Sequence, residues 1–213
     1  MIPFPDTFSE STQPVPEAYL GDKGLEAVQK LAELGYEVHA GLTPEFARAI
    51  STMALEPSIR EYCPKDSGER FADQASTERW LSKKRGMFLL LKRADDGNLS
   101  LVGYGWVGAA ANSRIPDGET TFALRVGEAG QGQGLATPFS WLIVAASAVL
   151  YGAKNMWLET WLSNGGAVHI YHKIGFVDVA EQPDKRPVPD GEPVDDTRVY
   201  MSLSNDLLPP PSA

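Results

Sequence analysis

The sequence has little cysteine and no long apolar run. Its single cysteine, Cys63, cannot form an intramolecular disulfide, and no cluster of cysteine and histidine predicts a zinc site. No apolar stretch approaches the roughly 20 residues that cross a bilayer. The N-terminus also lacks the positive region and the apolar run of a secretory signal. These absences predict a cytoplasmic protein with no metal and no membrane contact.

An excess of positive charge is missing as well. The 213 residues carry 28 acidic and 19 basic side chains, a net charge of −9. Nucleic acid is therefore not an expected partner, because affinity for phosphates depends on concentrated lysine and arginine. Residues 1–33 hold six acids and two bases, and residues 178–196 hold seven acids and two bases. The sequence predicts a neutral body with two acidic attachments.

Proline marks the edges of this body. Eleven of the 16 prolines fall within residues 3–16, 183–193 and 209–211. Because proline fixes φ and lacks an N–H donor, these stretches predict an irregular leader, a long loop over 181–196 and a frayed tail. The predicted organisation is an irregular, acidic N-terminal extension with a short helix near its end, one globular domain, and a disordered C-terminal tail, with bounds at 1–34, 35–204 and 205–213.

The pattern of apolar residues between these edges predicts an α/β protein with a mixed sheet. The order is one strand, two helices, three strands, a helix, a strand, a helix and two strands. The predicted strands cover 36–42, 87–93, 99–109, 121–126, 156–161, 176–179 and 198–203. The predicted helices cover 43–55, 76–84, 134–151 and 164–174.

A glycine-rich segment, Val126–Ala136, lies between a predicted strand and a predicted helix. Unpaired N–H groups at the positive end of a helix suit a phosphate or pyrophosphate. A Walker loop is excluded because the segment ends Gly134-Leu135-Ala136, without the lysine. A Rossmann fingerprint is weakly matched, since leucine or threonine stands at its third glycine. A glycine-rich turn without any ligand is the plain alternative.

A second motif stands about 30 residues downstream, with Asn164, Ala167, Tyr171 and Gly175-Phe176 at fixed spacing. Together with Gln131-Gly-Gln-Gly-Leu-Ala136, it resembles the two motifs of the GNAT superfamily of acetyl-CoA-dependent N-acetyltransferases. The resemblance covers roughly 36–203 and is clearest in 121–177. It implies a mixed, mostly antiparallel sheet of six to seven strands flanked by about four helices. It also implies acetyl-CoA as cosubstrate and no metal.

The resemblance implies roles for particular residues. A strand backbone pairs with the pantetheine arm of CoA, a row of loop N–H groups holds the pyrophosphate, and an N–H near Val126 stabilises the oxyanion. Asn164 contacts pantetheine, and Tyr171 protonates the departing thiolate as general acid. Asn164 as a helix N-cap and Tyr171 as a core aromatic are the structural alternatives. The implied cofactor-binding residues are Leu124, Arg125, Val126, Gln131, Gly132, Gln133, Gly134, Leu135, Ala136, Asn164 and Tyr171.

The general base is Glu159 in the leading interpretation. It stands five residues before Asn164, the spacing of the catalytic glutamate in the ribosomal-protein alanine N-acetyltransferases that the chain resembles. Burial between two neighbouring indoles could raise its pKa. The alternatives are a carboxylate without a catalytic role, a water chain, or one of two further side chains, Glu119 and His39.

The acceptor is expected to be a primary amine of a small molecule or peptide, and a cationic one, because the acidic segment 178–196 should border the acceptor entrance. A merely solvated loop is the alternative. Lys83-Lys84-Arg85 is expected to be a solvated helix end, with contact to the CoA 3′-phosphate as the lesser alternative. The second function considered is a non-catalytic acyl-CoA sensor or interaction module. The expected partners are acetyl-CoA and the amine, with a homodimer also allowed.

Overall fold

A mixed sheet forms the centre of the protein, whose computed structural model describes residues 4–203. Eight strands within that range follow the order β1-β2-β3-β4-β5-β6-β8-β7, and all neighbours are antiparallel except β5 and β6. The strands are β1 (Gln13–Pro14), β2 (Tyr36–Ala40), β3 (Arg85–Arg93), β4 (Leu99–Ala109), β5 (Thr120–Val126), β6 (Met156–Trp161), β7 (Val177–Arg186) and β8 (Val194–Leu203).

Helices cover both faces of the sheet. They are α1 (Gly21–Glu33), α2 (Pro44–Met53), α3 (Pro57–Tyr62), α4 (Gln74–Leu81), α5 (Ala136–Tyr151) and α6 (Gly165–Lys173), with a π-helical turn at Asp66–Arg70. Local chemistry explains the ends: the Thr43 side chain accepts a hydrogen bond from the Phe46 N–H, and Pro44 opens α2. Gly152, at φ 63°, ends α5 in the left-handed conformation.

Two apolar clusters hold the layers together. On one face, α1 and α5 pack over the sheet around Phe122, Phe139 and Phe176. On the other face, α2 and α4 pack around Phe71 and Trp106. Because α5 lies between the sheet and α1, most of its residues are buried, which accounts for its nearly continuous apolar sequence. Across residues 4–203, every helix is too short or too polar to cross a membrane.

The expected α/β fold with a mostly antiparallel mixed sheet is confirmed, and the described sheet has one strand more than the upper expected count. The additional strand is β1, which pairs Gln13 with Ala40 and Pro14 with His39. The leader expected to be irregular therefore contributes to the sheet. The helix of the extension, α1, is also part of the core, with Leu31 only 1% exposed. The predicted tail lies outside the described residues.

The expected long loop over 181–196 is wrong. β7 continues to Arg186 and β8 begins at Val194, so only 187–193 connects them. Within the described residues, β7 lies at the edge of the sheet and pairs only with β8, and an edge strand tolerates a proline such as Pro183. The acidic segment is thus mostly a hairpin.

The sheet is divided between β5 and β6. The described structure pairs these strands at Thr120 with Met156 and Thr121 with Trp157, and nowhere beyond. After these pairs β5 continues along β4, whereas β6 continues along β8. The two strands therefore diverge, and a gap opens through the sheet from one helical layer to the other.

Candidate active site

A cavity of about 760 Å³ occupies the gap between β5 and β6. Its size is typical of a site for a cosubstrate. Its lining comes from both faces of the sheet, with α5 and α6 on one side and α3 and α4 on the other. Ten of the eleven predicted cofactor-binding residues line it: Leu124, Arg125, Val126, Gln131, Gly132, Gly134, Leu135, Ala136, Asn164 and Tyr171.

The edge of β5 presents backbone groups to this cavity. The carbonyl oxygens of Ala123 and Arg125 lie 2.9 and 2.7 Å from where a Cβ would stand on Gly105 and Gly103, so they face β4. Because backbone groups alternate along a strand, those of Leu124 and Val126 face the gap. Their carbonyls accept hydrogen bonds from the side chains of Arg125 (2.7 Å) and Gln131 (3.2 Å). The two N–H groups point the same way and suit a ligand that lies along the strand.

The glycine-rich loop leads into the N-terminus of α5. Gly132 and Gly134 have φ of 75° and 74°, and a Cβ on either would meet nothing within 4 Å. Glycine is therefore required by the backbone conformation rather than by crowding. The N-cap residue, Leu135, makes no capping hydrogen bond through its side chain, and the first turn of α5 holds no acidic residue. The positive end of the helix is therefore available to bind an anion.

The two glutamines of the loop support its shape. Gln131 donates through Nε2 to Ser58 Oγ at 3.0 Å, which ties the loop to α3. Gln133 donates to the Ala129 carbonyl at 2.6 Å and accepts from the Tyr36 hydroxyl at 2.6 Å. Gln133 is the predicted cofactor residue that does not line the cavity, because its side chain turns to these partners instead.

Asn164 and Tyr171 lie on the cavity wall opposite β5. Asn164 caps α6 by accepting from the Ala167 N–H at 3.3 Å, so its structural role is real and it lines the cavity as well. Tyr171 is 6% exposed, and its ring lies edge-on to Phe122 at 6.1 Å between centroids. Burial raises the pKa of Tyr171 to about 12, although Arg125 opposes the rise. The phenol is therefore protonated at neutral pH and can act as a proton donor.

Glu159 lines the cavity but is not buried between indoles. Its side chain is 44% exposed, and one carboxylate oxygen lies 2.9 Å from Arg198 Nη1. The burial that the sequence predicted for this carboxylate is therefore absent. Among the lining residues within 4–203, Glu159 is still the one carboxylate. The other two candidate bases, Glu119 and His39, do not line the cavity, and the His39 ring is hydrogen-bonded to Thr12 and Glu37.

A buried carboxylate that the sequence did not reveal lies beside the cavity. Asp66, in the π-helical turn, is fully buried and accepts three hydrogen bonds, from Arg70 Nη1 (2.6 Å), Arg125 Nε (2.9 Å) and the Tyr104 hydroxyl (2.9 Å). Burial and the carboxylate of Asp66 raise the pKa of Tyr104 well above its usual value. Burial alone would lower the pKa of Arg125, but Asp66, together with Cys63, Tyr104 and Tyr171, raises it.

One signal could have revealed this cluster. An arginine within the apolar strand Thr120–Val126 needs a buried acid, because an unpaired charge in a core is costly. The segment that supplies the acid lies between the predicted helices 43–55 and 76–84, where no element was predicted. In the structure it contains α3 and the π-helical turn. In the described part of the chain, no group of three or more His, Cys, Asp or Glu side chains could hold a metal ion.

Comparisons with known proteins find structural relatives only. No protein-family model and no curated protein sequence matches the chain. A spermidine N-acetyltransferase from Vibrio cholerae in complex with CoA and spermine has a TM-score of 0.60 and 18% identity, over 80% of this chain and 96% of that chain. An acetyltransferase of the GNAT family from Streptococcus pneumoniae has a TM-score of 0.57 and 18% identity, over 79% and 99%.

A third relative extends over more of the chain. RimL, a ribosomal L7/L12 α-N-protein acetyltransferase in complex with CoA, has a TM-score of 0.58 and 12% identity, over 91% of this chain and 98% of that chain. At such identities the likeness shows the fold, and it is the fold of the GNAT N-acetyltransferases, which confirms the resemblance in the sequence at that level.

Proposed function

We propose that the protein transfers an acetyl group from acetyl-CoA to a primary amine. The observation that carries this proposal is the cavity between β5 and β6, which joins the uncapped N-terminus of α5 to the buried phenol of Tyr171. Two of the structural relatives are bound to CoA, which supports the same use of the cavity here.

Each part of the cavity has its own proposed role in the reaction. The N–H groups of the glycine-rich loop and of the first turn of α5 would hold the pyrophosphate of CoA. The N–H groups of Leu124 and Val126 would pair with the pantetheine arm, and an N–H near Val126 would stabilise the developing oxyanion. The amine attacks the thioester carbon directly, so no enzyme nucleophile is needed. The C–S bond then breaks, and Tyr171 gives its phenolic proton to the departing thiolate.

Glu159 is the proposed acceptor of the amine proton. Its support is its place as the cavity-lining carboxylate, half exposed and so in contact with solvent. Its carboxylate also accepts a hydrogen bond from the guanidinium of Arg198, which holds it at the cavity wall. A water molecule between the amine and Glu159 would complete the path.

A second function, a non-catalytic acyl-CoA sensor, is favoured by that same ion pair, because it occupies the carboxylate that a base requires. Calorimetry with acetyl-CoA and a thiol-release assay over a broad amine panel separate the two functions. The transferase is expected to bind acetyl-CoA and to release CoA with at least one amine. Binding without turnover over the whole panel favours the sensor, and no binding at millimolar acetyl-CoA contradicts both.

Tyr171→Phe tests the assigned proton donor. It should lower kcat by about 100-fold or more, the usual contribution of a positioned general acid, while acetyl-CoA affinity changes less than twofold. Tyr151→Phe is the matched control, since Tyr151 is a largely buried tyrosine outside the cavity lining. Equal kcat for the Tyr171 variant and the wild type would remove this residue as the acid.

A further inference from the structure

Arg85, the first residue of β3, has buried donors with nothing to bind. Its Nε and Nη1 atoms are buried and have no hydrogen-bond acceptor within the described part of the chain. The run Lys83-Lys84-Arg85 is thus not uniformly the solvated helix end that the sequence predicted, because only the two lysines are exposed. Buried donors without partners are costly, and Arg85 also lines the cavity, so its partly exposed guanidinium indicates an anionic ligand there.

The residues around Arg85 hold its guanidinium at one end of the cavity. It lies over Gly108, where any Cβ would collide with Nη1. It also lies 6.0 Å from the ring centroid of Trp80, whose ring meets Trp106 edge-on at 5.2 Å. Arg70 lies 5.2 Å from the Trp106 centroid, close enough to Arg85 that, after burial, its charge lowers the pKa of Arg85.

The charges around this end of the cavity do not balance. Asp66 is shared by Arg70 and Arg125, and no ion pair joins Arg85 to any acid in the described residues. Glu159, the one carboxylate that lines the cavity within residues 4–203, is paired with Arg198. The charged residues of the lining are Lys65, Arg70, Arg85, Arg125, Arg198 and Glu159. This end of the cavity therefore has unsatisfied positive charge.

The acidic hairpin does not reverse this balance. Its carboxylates are largely paired with basic residues of the hairpin or of α3, at 2.6–3.3 Å: Asp195 with Lys185, Asp196 with Arg186, Asp184 with Arg198, and Asp190 with Arg60. The segment on which a cationic acceptor was expected thus gives the cavity little free negative charge.

Register shows that Arg85 is not placed for the pyrophosphate of CoA. Arg85 pairs with Gly108, which pairs with Thr121, whereas the glycine-rich loop follows Val126 at the other end of β5. Five residues of strand span about 16 Å. Arg85 also lies on the face covered by α2 and α4, opposite α5 and α6. Its ligand is therefore on the side of the gap away from the glycine-rich loop and from α5.

We propose that the acceptor amine also carries a carboxylate, and that Arg85, with Arg70 beside it, binds this carboxylate. This inference rests on the proposed acetyl transfer and names its substrate class. A guanidinium pairs with a carboxylate through two parallel hydrogen bonds, and the two indoles give an apolar wall for the carbon chain between the groups. Thr121 and Val126, where the thioester would react, are about 16 Å apart along β5, so the amine and the carboxylate are several bonds apart.

Matched acceptors test the proposal. Initial rates are measured with 4-aminobutanoate and 6-aminohexanoate, with n-butylamine and n-hexylamine of the same chain lengths, and with spermidine. At least one amino acid should have a kcat/KM about 10- to 100-fold above its matched alkylamine and above spermidine, the range expected for a charge-assisted hydrogen-bonded pair. A preference for spermidine or for the plain alkylamines overturns the proposal.

Variants assign the effect to Arg85. Arg85→Gln should remove the preference for the carboxylate, while kcat/KM for the alkylamine and the KM for acetyl-CoA stay within twofold. Arg85→Lys keeps the charge without the paired geometry and should retain part of the preference, even if the glutamine variant folds poorly. Lys83→Gln, the loss of an exposed charge two residues away, is the control. An equal loss of rate for both kinds of acceptor on Arg85→Gln contradicts the assignment.

A binding experiment separates this proposal from the acetyl transfer. Ligand-observed NMR with 6-acetamidohexanoate, in the presence of CoA, should show binding to the wild type and loss of binding to Arg85→Gln. Such binding without transfer to any amine would sustain the carboxylate site and contradict the transferase. Transfer without any preference for a carboxylate would support the transferase and contradict the carboxylate site.

Discussion

Loss of the Asp66 carboxylate is predicted to destabilise the fold. Its carboxylate joins two guanidiniums and a phenol where the π-helical turn meets the sheet, and it is fully buried. Asp66→Asn keeps the size of the side chain and removes its charge. Arg125, 14% exposed, and Arg70, 29% exposed, then lose the charge that compensates them.

The size of the effect follows from these exposures. Removing one partner of a buried ion pair lowers the free energy of unfolding by about 3–5 kcal/mol. Because solvent partly screens Arg70, we expect the lower end of that range, about 3 kcal/mol. In a domain of this size each kcal/mol shifts Tm by about 2–4 °C, so Tm should fall by about 6–12 °C.

Differential scanning calorimetry measures this fall against a control from the same turn. Glu69 is an exposed acid three residues away, and Glu69→Gln should change stability by no more than about 0.5 kcal/mol. Tyr104→Phe removes one hydrogen bond to the carboxylate and should cost about 1.5 kcal/mol. Equal Tm values for the Asp66 and Glu69 variants would refute the idea that Asp66 compensates buried charge.

Three further predictions concern catalysis. Because the pKa of Tyr171 is about 12, the general acid stays protonated and kcat should not fall between pH 7 and 10, whereas a fall centred near pH 8 would exclude this donor. Glu159→Gln should lower kcat/KM most at low pH, where the amine is protonated, with the exposed, non-lining Glu119→Gln as control; parallel pH profiles for both would exclude Glu159. Gly134→Ala should weaken acetyl-CoA binding about fivefold in calorimetry, because alanine costs about 1 kcal/mol at φ 74°, and unchanged affinity would contradict the loop's role.

The fold was predictable where the signal is local. β4 and β6 begin and end at the predicted residues, because their apolar patterns are bounded by clear turns. Proline misled the prediction at both ends of the sheet. Pro14 and Pro183 lie in edge strands, where the missing N–H donor is tolerated, and the position of a strand in its sheet cannot be derived from its own residues.

The site residues, too, were predictable from the sequence only where the signal is local. The motif residues from Gln131 to Tyr171 lie in two short segments whose spacing carries the information. Arg85 and Asp66 stand in segments with no motif. Their roles become visible only in the folded protein, where three strands and a helical turn bring Arg85 into the cavity lining and Asp66 beside it. A buried arginine in β5 was visible in the sequence, but its partner is 59 residues away.

Because β5 and β6 pair over only a short distance, the sheet consists of two parts with a short connection between them. Five strands lie on one side and three on the other within the described structure, and two residue pairs join them. A pantetheine arm bound along β5 would take the place of the absent strand pairing between the two parts of the sheet. The spacing between the two parts of the sheet sets the width of the cavity that a thioester would enter.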